Sequence, residues 1–343
     1  MKNKKAYLEA IRLLSLFFVL YTHTGNYGMH HYLETSNPLN FWFSQSLVLL
    51  SQTCVPLFFM ISGAVLLHKE STFKEIWTKR VPRMVIVILL AGLFQYYFNF
   101  RLNPDIGFSV KMWLQLTYSG KVCTQHWFLY SYLAFLMILP FLQKLVKSLP
   151  EHWFLILLGM QVCIAGILPI VEYYIEYPGI SLDIPLFTNC IFYTMLGYYI
   201  EHRSKDNFTN LKPLLFWLSG AFVAFLLNLH MQNISLKEHG SLIYNNLFTG
   251  LFSFGIFIWF RCAFTRIKLP QWLEKFLCFC GSGVFGTYLL DIPLRNFFEP
   301  VYITLNTKIF SYPALFVWLF VCMATGILFI NILKLIPGIK KLL

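Results

Sequence analysis

Two ionisable residues in the first apolar run are placed to do chemistry together. Arg12 and His23 lie eleven positions apart. Eleven helical steps of about 100° bring His23 back to within roughly 20° of Arg12 on the wheel, about 16 Å further along the axis. Ser15 and Val19 fall between them on that face. Ionisable groups within a membrane helix are costly, so they usually face the bundle interior and often mark function. An imidazole titrating near neutrality can take a proton from a hydroxyl, and a guanidinium can offset negative charge in a transition state. The plain alternative is that Arg12 snorkels to one interface while His23 sits among the headgroups of the other. Glu9, one turn below Arg12, also offers it an ion-pair partner.

Other candidates carry their own alternatives. Arg80 and Arg83 are three apart at the expected start of a span, where forked guanidinium bonds and a helix N-terminus favour phosphate oxygens. They could equally be ordinary topology determinants. His126 opens a later span beside Trp127, and an interfacial histidine is its simpler reading. Asp291 falls within an apolar run near Pro293 and Arg295, so it is either a functional intramembrane acid or the partner of Arg295. His30 and His31 have no further ligands nearby, and no metal site is expected. The eight cysteines show no spacing framework. Cys163, Cys190 and Cys322 lie in apolar runs and read as reduced, packed thiols.

The elements that position these residues are membrane helices. Hydrophobic residues make up 57% of the chain and charged residues 12%, about half the usual charged share of a soluble domain. Apolar runs long enough to cross a bilayer recur from end to end. The expectation is an all-α polytopic bundle of ten spans, forming a single transmembrane domain over residues 1–343 with no soluble C-terminal domain. The spans run approximately Ala6–Thr24, Ser44–Leu67, Pro82–Phe100, His126–Val146, Trp153–Ile175, Ile184–Ile200, Pro213–His230, Leu242–Phe264, Phe276–Phe298 and Tyr312–Ile336. The net charge of +12 does not indicate nucleic acid, because the basic residues sit in short clusters between apolar runs.

Those clusters give the orientation. Residues 25–43 and 172–183 contain no Lys or Arg, and 231–241 contains only Lys237. Basic residues concentrate on the alternate side: the N-terminus, Lys69 to Arg83, Lys144 with Lys147, Arg203 to Lys212, Arg261 to Lys275, and Lys334 to Lys341. An even number of spans then places both termini in the cytoplasm, in a multi-pass cell-membrane protein.

Several segments together resemble the acyltransferase-3 family of integral membrane acyltransferases. Tyr7-Leu8-Glu9-Ala10-Ile11-Arg12, followed by His23, looks like its opening signature. Val55-Pro56-Leu57-Phe58-Phe59-Met60-Ile61-Ser62-Gly63 resembles its second span, and Arg80-Val81-Pro82-Arg83 its paired arginines. Trp127-Phe128-Leu129-Tyr130 resembles an aromatic outer entry, and Phe285-Gly286-Thr287-Tyr288-Leu289-Leu290 a late Gly-x-Tyr-Leu segment. Asp291 stands where many relatives have His, which leaves the role of that position open. The resemblance implies transfer of an acyl group, usually acetyl from cytoplasmic acetyl-CoA, to a hydroxyl of an extracytoplasmic glycan or lipid-linked envelope molecule. No metal is implied. It casts Arg80 and Arg83 as binders of the CoA phosphates. It casts His23 as base or transient acyl carrier with Arg12 assisting. Beside the resemblance, His126, which the topology puts on the outer side with His23, and the intramembrane acid Asp291 are acceptor-side candidates.

The competing function is a transporter or flippase for a lipid-linked glycan, with Arg12, His23 and Asp291 lining a passage. Transporters often carry internal repeats with matched broken helices, and no convincing repeat relates the two halves of this chain.

Overall fold

The computed structural model describes residues 5–33, 35–102, 107–175, 188–204, 215, 219–223, 225–231, 246–267 and 269–343. Every regular element among them is helical. Six helices are long and apolar enough to cross a bilayer: Pro38–Leu66, Phe73–Asn99, Thr124–Ser148, Glu151–Glu172, Leu247–Arg266 and Ser311–Leu333. A bent pair, Gln271–Leu289 with Asp291–Asn306, is a seventh if taken as one span. The protein is a multi-pass membrane protein. The first apolar run forms the helix Ala6–Thr22, of 17 residues. The expected span Ile184–Ile200 is described from residue 188 onward, and Pro213–His230 lies largely outside the described residues.

Local chemistry sets the helix ends. Asn37 caps the helix Pro38–Ser51 by accepting from the Leu39 N–H at 2.9 Å, with Pro38 in the first turn. That helix pauses at Gln52–Thr53 because Pro56 has no N–H to return to the Gln52 carbonyl. The ladder restarts with the Leu57 N–H on the Thr53 carbonyl at 3.0 Å, leading into the helix Cys54–Leu66.

Two expectations need correction. The third span starts at Phe73 rather than Pro82, because Thr72 caps the turn and a π-helical turn, Ile76–Arg80, carries the helix on into Val81–Leu102. Arg80 and Arg83 therefore do not sit on a helix N-terminus. The ninth expected span, Phe276–Phe298, is not one straight helix. It breaks at Leu290, where the axis turns by 95°. Pro293 lacks the N–H that would continue the ladder onto the Leu289 carbonyl, and it is harmless in the first turn of a new helix.

The chain divides into two compact units. The first comprises Met1–Lys69 and Leu145–Ser282. Its tightest packing joins the helices Cys54–Leu66 and Asn189–Tyr198 backbone to backbone. A methyl group on Gly63 would stand 1.8 Å from the Thr194 carbonyl oxygen, and one on Gly197 would stand 2.0 Å from that of Met60. Small residues that admit such approach are the usual adhesive between membrane helices, where burial from water supplies little. The second unit comprises Glu70–Lys144 and Gly283–Leu343. There the helix Ser311–Leu333 packs on Asp291–Asn306, with Gly326 against Thr287 and Leu294.

Candidate functional site

Within the first unit, the helix Ala6–Thr22 holds Arg12 near one end and delivers His23 at the other. Arg12 Nη1 donates to both carboxylate oxygens of Glu9, at 2.7 Å each. The Glu9 side chain is buried and the Arg12 side chain is 27% exposed. Such a pair is nearly neutral as a whole, which lowers the cost of holding a guanidinium in an apolar helix. Of the two alternatives for Arg12, the structure therefore gives it a specific partner rather than free snorkelling.

His23 is the first residue past the helix. Its backbone, at φ −98° and ψ 7°, leaves the helical wheel, and its N–H reaches back to the Leu20 carbonyl at 3.3 Å. The turn that follows is pinned by Thr24 and Tyr21. The Thr24 hydroxyl donates to the Tyr21 carbonyl and accepts from the Met29 N–H, and the Tyr21 hydroxyl donates to the Gly28 carbonyl. His23 is half-buried at this rigid corner. The intervening face is less polar than its composition suggests, because the buried Ser15 hydroxyl donates to the Ile11 carbonyl of its own helix at 2.8 Å.

At the other end of this helix lies a group of charges that sequence reasoning missed. Glu201 is buried and accepts from Lys5 Nζ and from the Tyr7 hydroxyl, with Arg261 Nε 3.8 Å away. Arg261 also donates to the Ile200 carbonyl. Next to it, His202 Nε2 donates to the Ala64 carbonyl at 2.8 Å while its ring stacks on His68 at 4.6 Å. An isolated acid at the end of an apolar run, among basic residues, was the available signal.

Within the second unit, the structure brings His126 and Asp291 into one buried cluster. His126 ends a short turn, Thr124–His126, and its ring meets that of Tyr288 edge-on at 5.8 Å. The Tyr288 hydroxyl donates to the Gln125 carbonyl at 2.6 Å. Asp291 opens the helix after the 95° bend and accepts from Arg295 Nε at 2.6 Å, so the expected ion pair forms. Cys123 lies close enough for Asp291 and Arg295 to act on it electrostatically, and burial pushes its thiol up to about 11. A thiol so shifted is no nucleophile at neutral pH.

Arg80 and Arg83 also belong to the second unit, beside the helix Pro337–Leu342. Arg80 Nη2 lies 3.5 Å from Glu75, and Arg83 Nε donates to the Leu342 carbonyl at 3.0 Å. Both contacts are loose enough at the surface to yield to a stronger anion. Among the described residues, no group of three or more His, Cys, Asp or Glu side chains is placed to hold a metal ion.

A family model described as an acyltransferase domain matches residues 5–333. No curated protein and no solved structure matches the chain.

Proposed function

Because the chain belongs to the acyltransferase-3 family of membrane acyltransferases, we propose that it moves an acetyl group from cytoplasmic acetyl-CoA to a hydroxyl of an extracytoplasmic glycan or lipid-linked envelope molecule. The reading takes ten spans with both termini in the cytoplasm, residues 1–343 working as one transmembrane domain, and no metal. One observation carries it: a single 17-residue helix holds the pair of Arg12 and buried Glu9 near its first end and presents His23 just beyond its last. At about 1.5 Å per residue this spans roughly 16 Å between Arg12 and His23.

In the proposed chemistry, His23 takes the proton of the acceptor hydroxyl as its oxygen attacks the thioester carbonyl. The carbon–sulfur bond breaks, the CoA thiolate leaves, and the proton passes from His23 to that thiolate. A relay through an acyl-imidazole at His23 gives the same products in two steps. Arg12 steadies negative charge as the thioester is attacked. Arg80 and Arg83 supply forked, charge-assisted bonds to the CoA phosphates. His126 and Asp291 orient the acceptor. The test is acetyl-CoA-dependent labelling of envelope glycans, followed by mass spectrometry of glycans from cells with and without the protein. Labelling that requires the protein is expected. Equal acetylation in both, with an altered distribution of lipid-linked glycan across the membrane, would favour a flippase instead.

A further inference from the structure

We infer that a cavity within the first unit is a binding site for a neutral single-chain lipid, a long-chain alcohol whose hydroxyl bonds to Gln161, Asn189 and Tyr193. The cavity lies between the spans Glu151–Glu172 and Leu247–Arg266 and the helix Asn189–Tyr198. The inference goes beyond the acyltransfer reading and does not rest on it.

The cavity measures about 320 Å³, within the range of sites for small ligands. Leu155, Leu158, Val162 and Gly166 line one wall at helical spacing, so that wall is roughly 16 Å long. Asn189, Tyr193, Leu196 and Tyr199 line a second, of roughly 15 Å. The volume over that length leaves a section of ~20 Å², about that of one extended alkyl chain. The two ends differ. A methyl group on Gly166 would stand 2.9 Å from Leu247 Cβ, so the helices close there. Leu155 is 43% exposed, beside the exposed Ile156 and Met160 of the same span. The cavity therefore opens to the surrounding lipid at Leu155.

A channel for plain hydrocarbon needs no amides, and this one has two. Gln161 Nε2 donates to Asn189 Oδ1 at 3.0 Å, which leaves Gln161 Oε1 as an acceptor and Asn189 Nδ2 as a donor. Exchanging oxygen and nitrogen in both amides leaves the same complement. Tyr193 lies one turn beyond Asn189 on the same helix face. Its hydroxyl stands 3.7 Å from where a methyl group on Gly250 would be, so glycine at 250 leaves space in front of it. That hydroxyl makes no hydrogen bond among the described residues. The remaining described lining is apolar apart from the Tyr199 hydroxyl, and it includes no charged residue.

That set selects the ligand. An alcohol hydroxyl accepts from Asn189 Nδ2 and donates to Gln161 Oε1, and the Tyr193 hydroxyl can do either. A plain hydrocarbon would cover both amides and answer neither. An anionic head group would bring charge into a cavity whose described lining offers no cation to pair with it. Gln161 lies roughly 9 Å from Leu155 along the span, so an alcohol of about ten carbons bonded here reaches the opening with its chain. On the way it passes Leu158, Leu196 and Phe254.

The test uses the full chain in lipid nanodiscs and a photoactivatable probe, 1-decanol carrying a diazirine in mid-chain, with labelled peptides read by mass spectrometry. Labelling is expected at Leu155, Leu158 and Tyr199. Compared at equal mole fraction in the bilayer, unmodified 1-decanol should displace the probe about tenfold more effectively than decane or decyl sulfate. Gln161→Leu, close in shape, should remove that tenfold advantage and leave competition by decane unchanged. Gly250→Leu should fill the space before Tyr193 and abolish the labelling, with thermal unfolding showing that the variant is folded. Labelling of the cavity no stronger than at the exposed Phe320 would overturn the inference. So would equal competition by the three compounds, or a Gln161→Leu variant that prefers 1-decanol as the parent does. Those results would leave the cavity to ordinary lipid chains and the amides to water. The parent's preference among the competitors is read without any variant, so it decides the matter even if Gly250→Leu fails to fold.

Discussion

Glu9 and Gly281 are in direct contact: a methyl group on Gly281 would stand 2.0 Å from Glu9 Oε2 and 2.9 Å from Glu9 Cβ. The carboxylate that neutralises Arg12 is therefore held in place by a neighbouring backbone rather than only by its ion pair. Gly281→Ala should displace it, because the oxygen can swing away but Cβ cannot. The expected cost is about 1–3 kcal/mol of stability, as for other overpacked sites, with acyl transfer falling further than stability alone explains. Thermal unfolding and transfer by the same preparation check this. Parental values for both would mean that the Glu9–Arg12 pair tolerates movement.

The paired arginines predict an asymmetry. If they bind CoA phosphates, Arg80→Ala and Arg83→Ala should each weaken acetyl-CoA binding by about tenfold to more than a hundredfold, the worth of a charge-assisted bond of roughly 1.5–3 kcal/mol. Glu75 competes for Arg80 across 3.5 Å, so Glu75→Gln should tighten donor binding modestly. Calorimetry in nanodiscs measures all three. Unchanged affinity throughout would reduce these arginines to topology determinants.

Much of this protein was legible in its sequence, and the exceptions have physical causes. The long apolar runs gave their helices because bilayer thickness imposes length and forbids unpaired backbone. The Asp291–Arg295 and Glu9–Arg12 pairs followed from spacings of four and three. The break at Leu290 was hidden because Pro293 suits either a kinked helix or the first turn of a new one. The early start at Phe73 was hidden because a π turn keeps a helix going through the polar stretch around Lys79 and Arg80. The surroundings of Glu201 depend on contacts between distant segments, which no periodicity within one segment reports.

Acidity should weaken the end of the first unit that holds His68. His68 lies between two spans, and burial holds its pKa below the ordinary histidine value. The charges of His202, Lys69 and Lys5 act the same way, and a bond to the Ala64 backbone opposes them. The unfolded chain takes up this proton near pH ~6.5, whereas the folded protein resists until lower pH. Stability present above ~6.5 is therefore lost as pH falls through the folded value. The unfolding midpoint should drop between pH 7 and 5, and His68→Asn should shrink that drop. An identical drop in parent and variant would clear His68 of this role.

The Lys/Arg alternation predicts that residues 25–43 face outward and that the turn before Phe73 faces the cytoplasm. In a background cleared of the eight native cysteines, Ser36→Cys should react with an impermeant thiol reagent on intact cells. Glu70→Cys should react only after lysis. Labelling of both on intact cells would reject this orientation and the cytoplasmic donor with it.

The central claim is that His23 works on the acceptor and not on donor binding. The direct measurement is His23→Gln in nanodiscs, with acetyl-CoA affinity by calorimetry and acetyl transfer by product formation on one preparation. Glutamine keeps a polar side chain at the helix end but cannot serve as base. The variant should fold, bind acetyl-CoA within about twofold of the parent, and lose transfer by a factor of about 10²–10⁴, the usual worth of a positioned general base. Near-normal transfer by His23→Gln, or loss of donor binding in its place, would contradict the account.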